Sequence, residues 1–451
     1  MREGSLEAPT RHALDWQNPW FWDEQALEKE MERVFDICHG CRRCFNLCDS
    51  FPRLFDLIDN GPTGEIDGVS KADYAQVEEA CTLCDMCFMT KCPYVPPHAW
   101  NVDFPHLMLR HRAVQAKKHG VDFTANQLAD TDRTGRLGTF VSSLVNWATD
   151  EKNVPMRQTL EKVAGIHHGA RLPTQAGETF ELRALREGAV PNPAAPAFGK
   201  RKAVLYATCF VNFHNTGIGA ATRAVLAMNG VETEVVHPAC CGMPKLELGD
   251  LEAVAAAAHT VTAALLPWID KGYDVIALTP SCALMLKFEW ALLLPKDPAV
   301  ERLAQATFDL SEYVVDIAKK HGLAPGLKSI EGGVSVHLAC HARAQNMGAK
   351  AAEMLRLVPG TRVAVIERCS GHGGIWGART EHFETAVKVG KPAAQAALKN
   401  DTAFVASECP LAADHLMQVM ELSSGDKRPK PSRTDHPIEL MARAYGIEDK
   451  P

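Results

Sequence analysis

The placement of fifteen cysteines limits what this 451-residue chain can fold into more than any other feature. Eight lie between Cys38 and Cys92, seven between Cys209 and Cys409, and none between 93 and 208. The opening residues MREGSLEAPTRHALDWQNPW have no apolar signal core, so a reducing, cytoplasmic setting is the expectation. There, clustered cysteines read as metal binding or redox chemistry rather than as a disulfide framework.

The first run is CHGCRRCFNLCD, with Cys38, Cys41, Cys44 and Cys48 at x2, x2 and x3 spacing. The second is CTLCDMCFMTKCP, with Cys81, Cys84, Cys87 and Cys92 at x2, x2 and x4, followed by Pro93. Three thiolates at that pitch can take three corners of one cubane, and the fourth cysteine of such a run ligates the other cluster. The expected sets are therefore crossed. Cys38, Cys41, Cys44 and Cys92 would hold one [4Fe–4S] cluster, and Cys48, Cys81, Cys84 and Cys87 the second. Asp49 stands where Pro commonly follows the fourth cysteine, a departure that touches packing rather than ligation. Zinc is the competing reading, since CxxC pairs also build tetrahedral thiolate sites, but triplets at this spacing are wasteful for it.

Before the first run, 23–37 reads as a helix, with Leu27, Met31, Val34 and Phe35 at helical spacing behind an acidic start. A second helix is expected at 71–80, after the GPTGEIDG turn. From 95 to about 195 the chain reads as helical and irregular, ending in the loop AVPNPAAPAFGKRK. From 202 the pattern changes to short apolar runs separated by helix-like stretches: AVLYAT, TEVVHP and DVIALTP, then VSVHLAC, VAVIERC and AFVASEC. That alternation predicts an α/β layer with a parallel sheet.

The second half is duplicated. Cys209 and Cys340 are 131 residues apart, Cys240 and Cys369 129, and Cys282 and Cys409 127. Near-constant offsets mark an internal repeat of roughly 125 residues. Each landmark lies at the end of a strand-like run, where open α/β sheets place ligands. The first repeat carries Cys209, Cys240, Cys241 and Cys282, candidate ligands of a third cluster. The second keeps Cys340, Cys369 and Cys409, with Ser370 in place of the paired cysteine. A cluster there needs a ligand other than cysteine, with His337, His341, His372 and Glu408 as candidates. A thiol-lined relic is the bland alternative.

The pattern Cys, Cys-Cys-Gly, Cys resembles the CCG domain, although the first cysteine of its closing Cys-x-x-Cys is replaced by Thr279 and Ala406. The whole order resembles the C subunit of anaerobic glycerol-3-phosphate dehydrogenase and the iron–sulfur subunit of glycolate oxidase, and is similar to fused heterodisulfide reductase subunits. HLACHARAQNMGAKAAEMLRL and ERCSGHGGIWG carry much of that likeness. The resemblance implies a multidomain chain: an α-helical ferredoxin domain over 1–115, a helical connector over 116–200, and two α/β CCG domains over 201–310 and 311–451, the last with a C-terminal helix. It also implies an electron-transfer subunit working between a flavoprotein dehydrogenase and a quinone or a rubrerythrin-type partner.

Other classes find no support. Net charge is −7 with no long basic run, which argues against nucleic acid. There is no GxGxxG unit, P-loop, HExxH or GxSxG. No apolar stretch is long enough for a membrane span. The aromatic group Trp16, Trp20, Phe21 and Trp22 suits either peripheral attachment at the inner membrane face or packing over the cluster region. Two alternatives to the electron carrier stand: a catalyst that reduces a disulfide at the CCG thiols, and a zinc-stabilised scaffold.

Overall fold

A computed structural model describes residues 8–425, 431 and 433–447. The chain is mostly helical, with two four-stranded parallel sheets in its second half. Asp23 starts the first long helix, Glu24–Cys41, by accepting a hydrogen bond from the Ala26 amide. Leu27, Met31, Val34 and Phe35 form its buried face, as their spacing predicts. The helix ends at Arg42 in the left-handed conformation, which sets Cys38 and Cys41 on its last turn. The helix foreseen at 71–80 is a 3₁₀ turn, Lys71–Asp73, running into Tyr74–Glu79. Six helices lie between Phe104 and Glu187, the first of them, Phe104–His119, packed in the N-terminal core.

The first sheet has the order β2-β1-β3-β4, with β1 Lys202–Tyr206, β2 Glu232–Val236, β3 Asp274–Ala277 and β4 Thr307–Asp309. The second has the order β6-β5-β7-β8, with β5 Val334–His337, β6 Val363–Ile366, β7 Phe404–Ser407 and β8 Thr434–Asp435. The two orders are the same once the strands are counted within each unit. Tyr206 pairs in register with Val236 and Ala277, so three strand ends finish at one edge and the cysteines that follow them meet there.

The last helix of each unit lies between the two units, packed in its own unit's core and against the other. Leu310–Lys320, which follows β4, packs on Lys350–Arg356 of the second unit. Pro437–Ala444, which follows β8, packs on Thr216–Met228 of the first. Both helices start with a capping box, Asp309 with Glu312 and His436 with Glu439.

The N-terminal region is fused to the first unit through one apolar core. Phe35, Phe51, Phe55, Tyr74 and Phe104 share it with Val254, Leu286 and Trp290. Arg11 pins the seam by binding Asp85 at 2.8 Å, Asp103 at 2.9 Å and Glu289 at 3.2 Å, one carboxylate from each of three segments. Most of the aromatic group packs there too. Phe21 is buried, Trp16 donates to the Leu293 carbonyl and Trp22 to the Trp16 carbonyl, whereas Trp20 stays half exposed beneath Arg110. One helix among the described residues, Leu251–Asp270, is long and apolar enough to cross a membrane. It is amphipathic and packs Leu251, Val254, Ala258, Val261 and Leu265 into the core.

Candidate functional site

The cysteines gather at the edges of that core. Cys38, Cys41, Cys44 and Cys92 line one small cavity together with Ile37, Phe51, Phe55, Tyr94 and Val102. Burial and the neighbouring Cys92 thiol push Cys44 up to about 12, and burial pushes Cys92 up to about 11. Cys48 stands apart from its own run. Burial raises it, and then the charges of Cys84 and Cys81. Burial likewise raises Cys87, with added effects from Cys84, Cys81, Cys44 and Cys48. The fold thus brings the fourth cysteine of each run to the other run's triplet, and sets the two groups side by side.

In the first unit four thiols meet. Cys209 and Cys240 sulfurs lie 3.9 Å apart, and Cys241 and Cys282 sulfurs 3.1 Å apart. The loop that carries the pair is braced on every side. Tyr206, the last residue of β1, donates to the Ala239 carbonyl at 2.7 Å. Trp290 donates to the Cys241 carbonyl at 3.2 Å. Gly242, at a φ of 83°, turns its amide back onto the Cys240 sulfur at 3.5 Å. Hydrogen bonds from Cys209 and Cys241 lower the Cys240 thiol well below its ordinary value, while Cys209 and Cys241 are raised.

The connector supplies a lid that its sequence does not announce. Helix Thr131–Phe140 lies down on the first unit through Gly135, while Gly138 packs on Gln175 of the region that precedes that unit. A Cβ on Gly135 would sit 2.3 Å from the Phe213 ring, and one on Gly138 2.7 Å from Gln175. That close approach brings Asp132 to the thiols. Asp132 accepts from the Cys240 amide at 2.6 Å and from His237 Nε2 at 2.7 Å. Only a small-residue pair three apart, with an acid before it, hints at this arrangement in the sequence.

The second unit uses the same scaffold with fewer thiols. His337 ends β5 as Tyr206 ends β1, and donates to the Arg368 carbonyl at 3.0 Å, one residue before Cys369. Gly371, at a φ of 80°, turns its amide onto Cys369 at 3.3 Å. His337 Nδ1 accepts from Ser407, so both ring nitrogens are engaged and neither can take a metal. His341 is likewise engaged on both sides, with Ser281 and with the Leu83 carbonyl. Glu408 is buried beside Asp309, and burial and that neighbour raise its carboxyl well above the ordinary range. Of the four candidate non-cysteine ligands, His372 alone keeps an imidazole with no hydrogen bond among the described residues; burial depresses it to about 3. The strongest thiol neighbour of Cys340 is Cys84, ahead of Cys369 and Cys409. This unit is pressed against the second N-terminal run, where Trp376 donates to the Glu79 carbonyl at 2.8 Å.

Residues 203–287, which span β1 to β3 and their cysteines, match the CCG cysteine-rich domain family. The chain is homologous to the C subunit of the anaerobic glycerol-3-phosphate dehydrogenase of Escherichia coli, with 26% identity over 320 residues, 70% of this chain and 76% of that one. It is also homologous to lactate utilization protein A of Bacillus cytotoxicus, with 29% identity over 183 residues, 38% of this chain and 73% of that protein.

Proposed function

We propose that this chain is an iron–sulfur electron-transfer subunit. Two [4Fe–4S] clusters are held by Cys38, Cys41, Cys44 and Cys92 and by Cys48, Cys81, Cys84 and Cys87, and a third centre by Cys209, Cys240, Cys241 and Cys282. The duplicated CCG architecture behind an α-helical ferredoxin domain is part of this reading, with Cys340, Cys369 and Cys409 as an incomplete fourth site. The observation that carries the proposal is the crossed grouping, in which Cys92 joins the first triplet and Cys48 the second. Interleaved runs make two adjacent sites, which is how a protein builds a short electron wire.

Zinc fits the thiols less well. Four thiolates on one zinc ion at about 2.3 Å must lie within about 3.8 Å of one another. Among the described residues the one metal-ligating trio whose atoms lie mutually within 4.8 Å is Glu161, His167 and His168, and it contains no cysteine.

The electron donor is a flavin-bearing dehydrogenase subunit, and the acceptor a quinone or a rubrerythrin-type protein, in the cytoplasm or peripherally on the inner membrane face. Descent shared with one chain of a glycerol-3-phosphate dehydrogenase supports a dehydrogenase partner. One contact favours a second reading. The 3.1 Å approach of Cys241 to Cys282 also suits a dithiol that closes to a disulfide, giving up two electrons and two protons to its acceptor.

Iron and acid-labile sulfide in anaerobically purified protein test the main reading. About twelve iron atoms per chain are expected, at four per cubane. About eight would leave the first unit to thiol chemistry, and zinc without sulfide would end the proposal.

A further inference from the structure

The second unit has too few thiols for a four-cysteine site, yet its first cysteine helix is wedged where two other thiol groups come together. Helix Cys340–Ala344 packs on Met86–Thr90 of the second run and on Pro280–Leu284 of the first unit. His341, buried in that seam, touches both sides. Its Nε2 donates to the Leu83 carbonyl at 3.4 Å, one residue before Cys84. Its Nδ1 accepts from Ser281 Oγ at 2.8 Å, one residue before Cys282. The two partners fix the tautomer, because a carbonyl can only accept and the remaining ring nitrogen must then accept from the hydroxyl. Gln345, one turn further on, holds the helix in place through the Pro280 carbonyl and Asp309 at 3.4 and 3.3 Å. A second connection exists through Arg112, which donates to the Cys81 carbonyl at 2.9 Å and the Glu247 carbonyl at 2.7 Å. It arrives six residues past Cys241, a longer route than one ring and two hydrogen bonds.

We propose that His341 is a positioning residue that couples the second N-terminal run to the thiols of the first unit, so that the second unit contributes a bridge between centres. This rests on the electron-transfer reading above. The step moves one electron. One electron would leave a centre held by Cys48, Cys81, Cys84 and Cys87 and arrive at one held by Cys209, Cys240, Cys241 and Cys282, with no bond or proton changing hands.

The test uses the full chain as wild type, Ser281→Ala, His341→Leu and His341→Gln. Iron and sulfide are measured first on each. A flash-photolysed deazaflavin then delivers less than one electron per molecule, and freeze-quenched spectra follow how fast the electron settles between centres. Ser281→Ala and His341→Leu should keep full iron and slow that settling several-fold, and His341→Gln, which retains a donor and an acceptor, should recover part of the loss. Unchanged settling in His341→Leu with iron intact overturns the proposal. Iron loss in both Ser281→Ala and His341→Leu also overturns it, by making the seam a scaffold. Wild-type protein with only the N-terminal iron would instead fail the underlying function, and that is visible before any variant is compared.

Discussion

The two sheets share strand order, a turn-back glycine and a brace beneath the first cysteine of the pair, and differ in what those devices serve. In the first unit Tyr206, Trp290, Gly242 and Asp132 converge on four thiols. In the second, His337 and Gly371 hold the same loop shape around one thiol, Cys369, which is exposed. The brace has changed from phenol to imidazole while donating to the equivalent carbonyl. The same backbone shape carries four thiols in one unit and one at the equivalent loop in the other, so scaffold and thiol content are separable in this fold. What the second unit gained is contact with its neighbours: Cys340 beside Cys84, and His341 against Leu83 and Ser281.

The contrast breaks most readily at the two glycines. Both occupy the left-handed region, where a side chain costs about 1–2 kcal/mol. A Cβ on Gly371 would in addition lie 2.0 Å from the Ala386 carbonyl oxygen, whereas on Gly242 its nearest contact is 3.4 Å. Overpacking of that kind adds roughly 1–3 kcal/mol. Gly371→Ala should therefore lower the thermal midpoint clearly more than Gly242→Ala. Equal midpoints would mean that the second unit yields around Gly371 as readily as the first has room at Gly242.

Thiol reactivity sharpens the comparison next. In cluster-free protein hydrogen bonding with Cys209 and Cys241 sets the Cys240 thiol well below its ordinary value, while burial pushes Cys409 up to about 11. A lowered thiol pKa means the reactive thiolate is present at neutral pH and is lost only as pH falls through that lowered value. A raised one means it appears only as pH climbs. Iodoacetamide at pH 7 should thus mark Cys240 at least about 100-fold faster than Cys409, the ratio that two pKa units imply. The Cys409 rate should climb steeply up to about pH 11. Peptide mapping over a pH series reads both, and parallel pH profiles would contradict the assignment.

The smallest effect belongs to the brace. Tyr206→Phe removes the donor to the Ala239 carbonyl, a loss of about 0.5–1.5 kcal/mol. It should leave the iron content unchanged but speed the release of about four irons to a chelator. No change in release would show that Trp290 and Asp132 suffice to hold the loop.

Much of this was legible in the sequence, for identifiable reasons. Cysteine spacing pointed to Cys92 beside the first run and Cys48 beside the second, because Cys-x-x-Cys pitch leaves the fourth cysteine of each run free to reach across; the structure places both thiols there. Apolar runs of four or five residues marked β1–β3 and β5–β7. The strands β4 and β8, three and two residues long, carry too little pattern to detect. The docking of each terminal helix between the two units was invisible because it depends on faces that only the folded units present. The candidate histidines show the limit most clearly: composition offered His337 and His341 as ligands, but each has both ring nitrogens committed to partners remote in the chain. Asp132 went unseen for the converse reason, since it lies 108 residues from the amide it holds.

On the proposed function, the first unit holds a centre by itself and the second does not. Iron and sulfide in Cys241→Ser and Cys369→Ser, purified side by side under anaerobic conditions, test that difference most directly. Cys241→Ser should lose about four irons per chain while Cys369→Ser loses none. Full iron in Cys241→Ser, or a matching loss in Cys369→Ser, would contradict it.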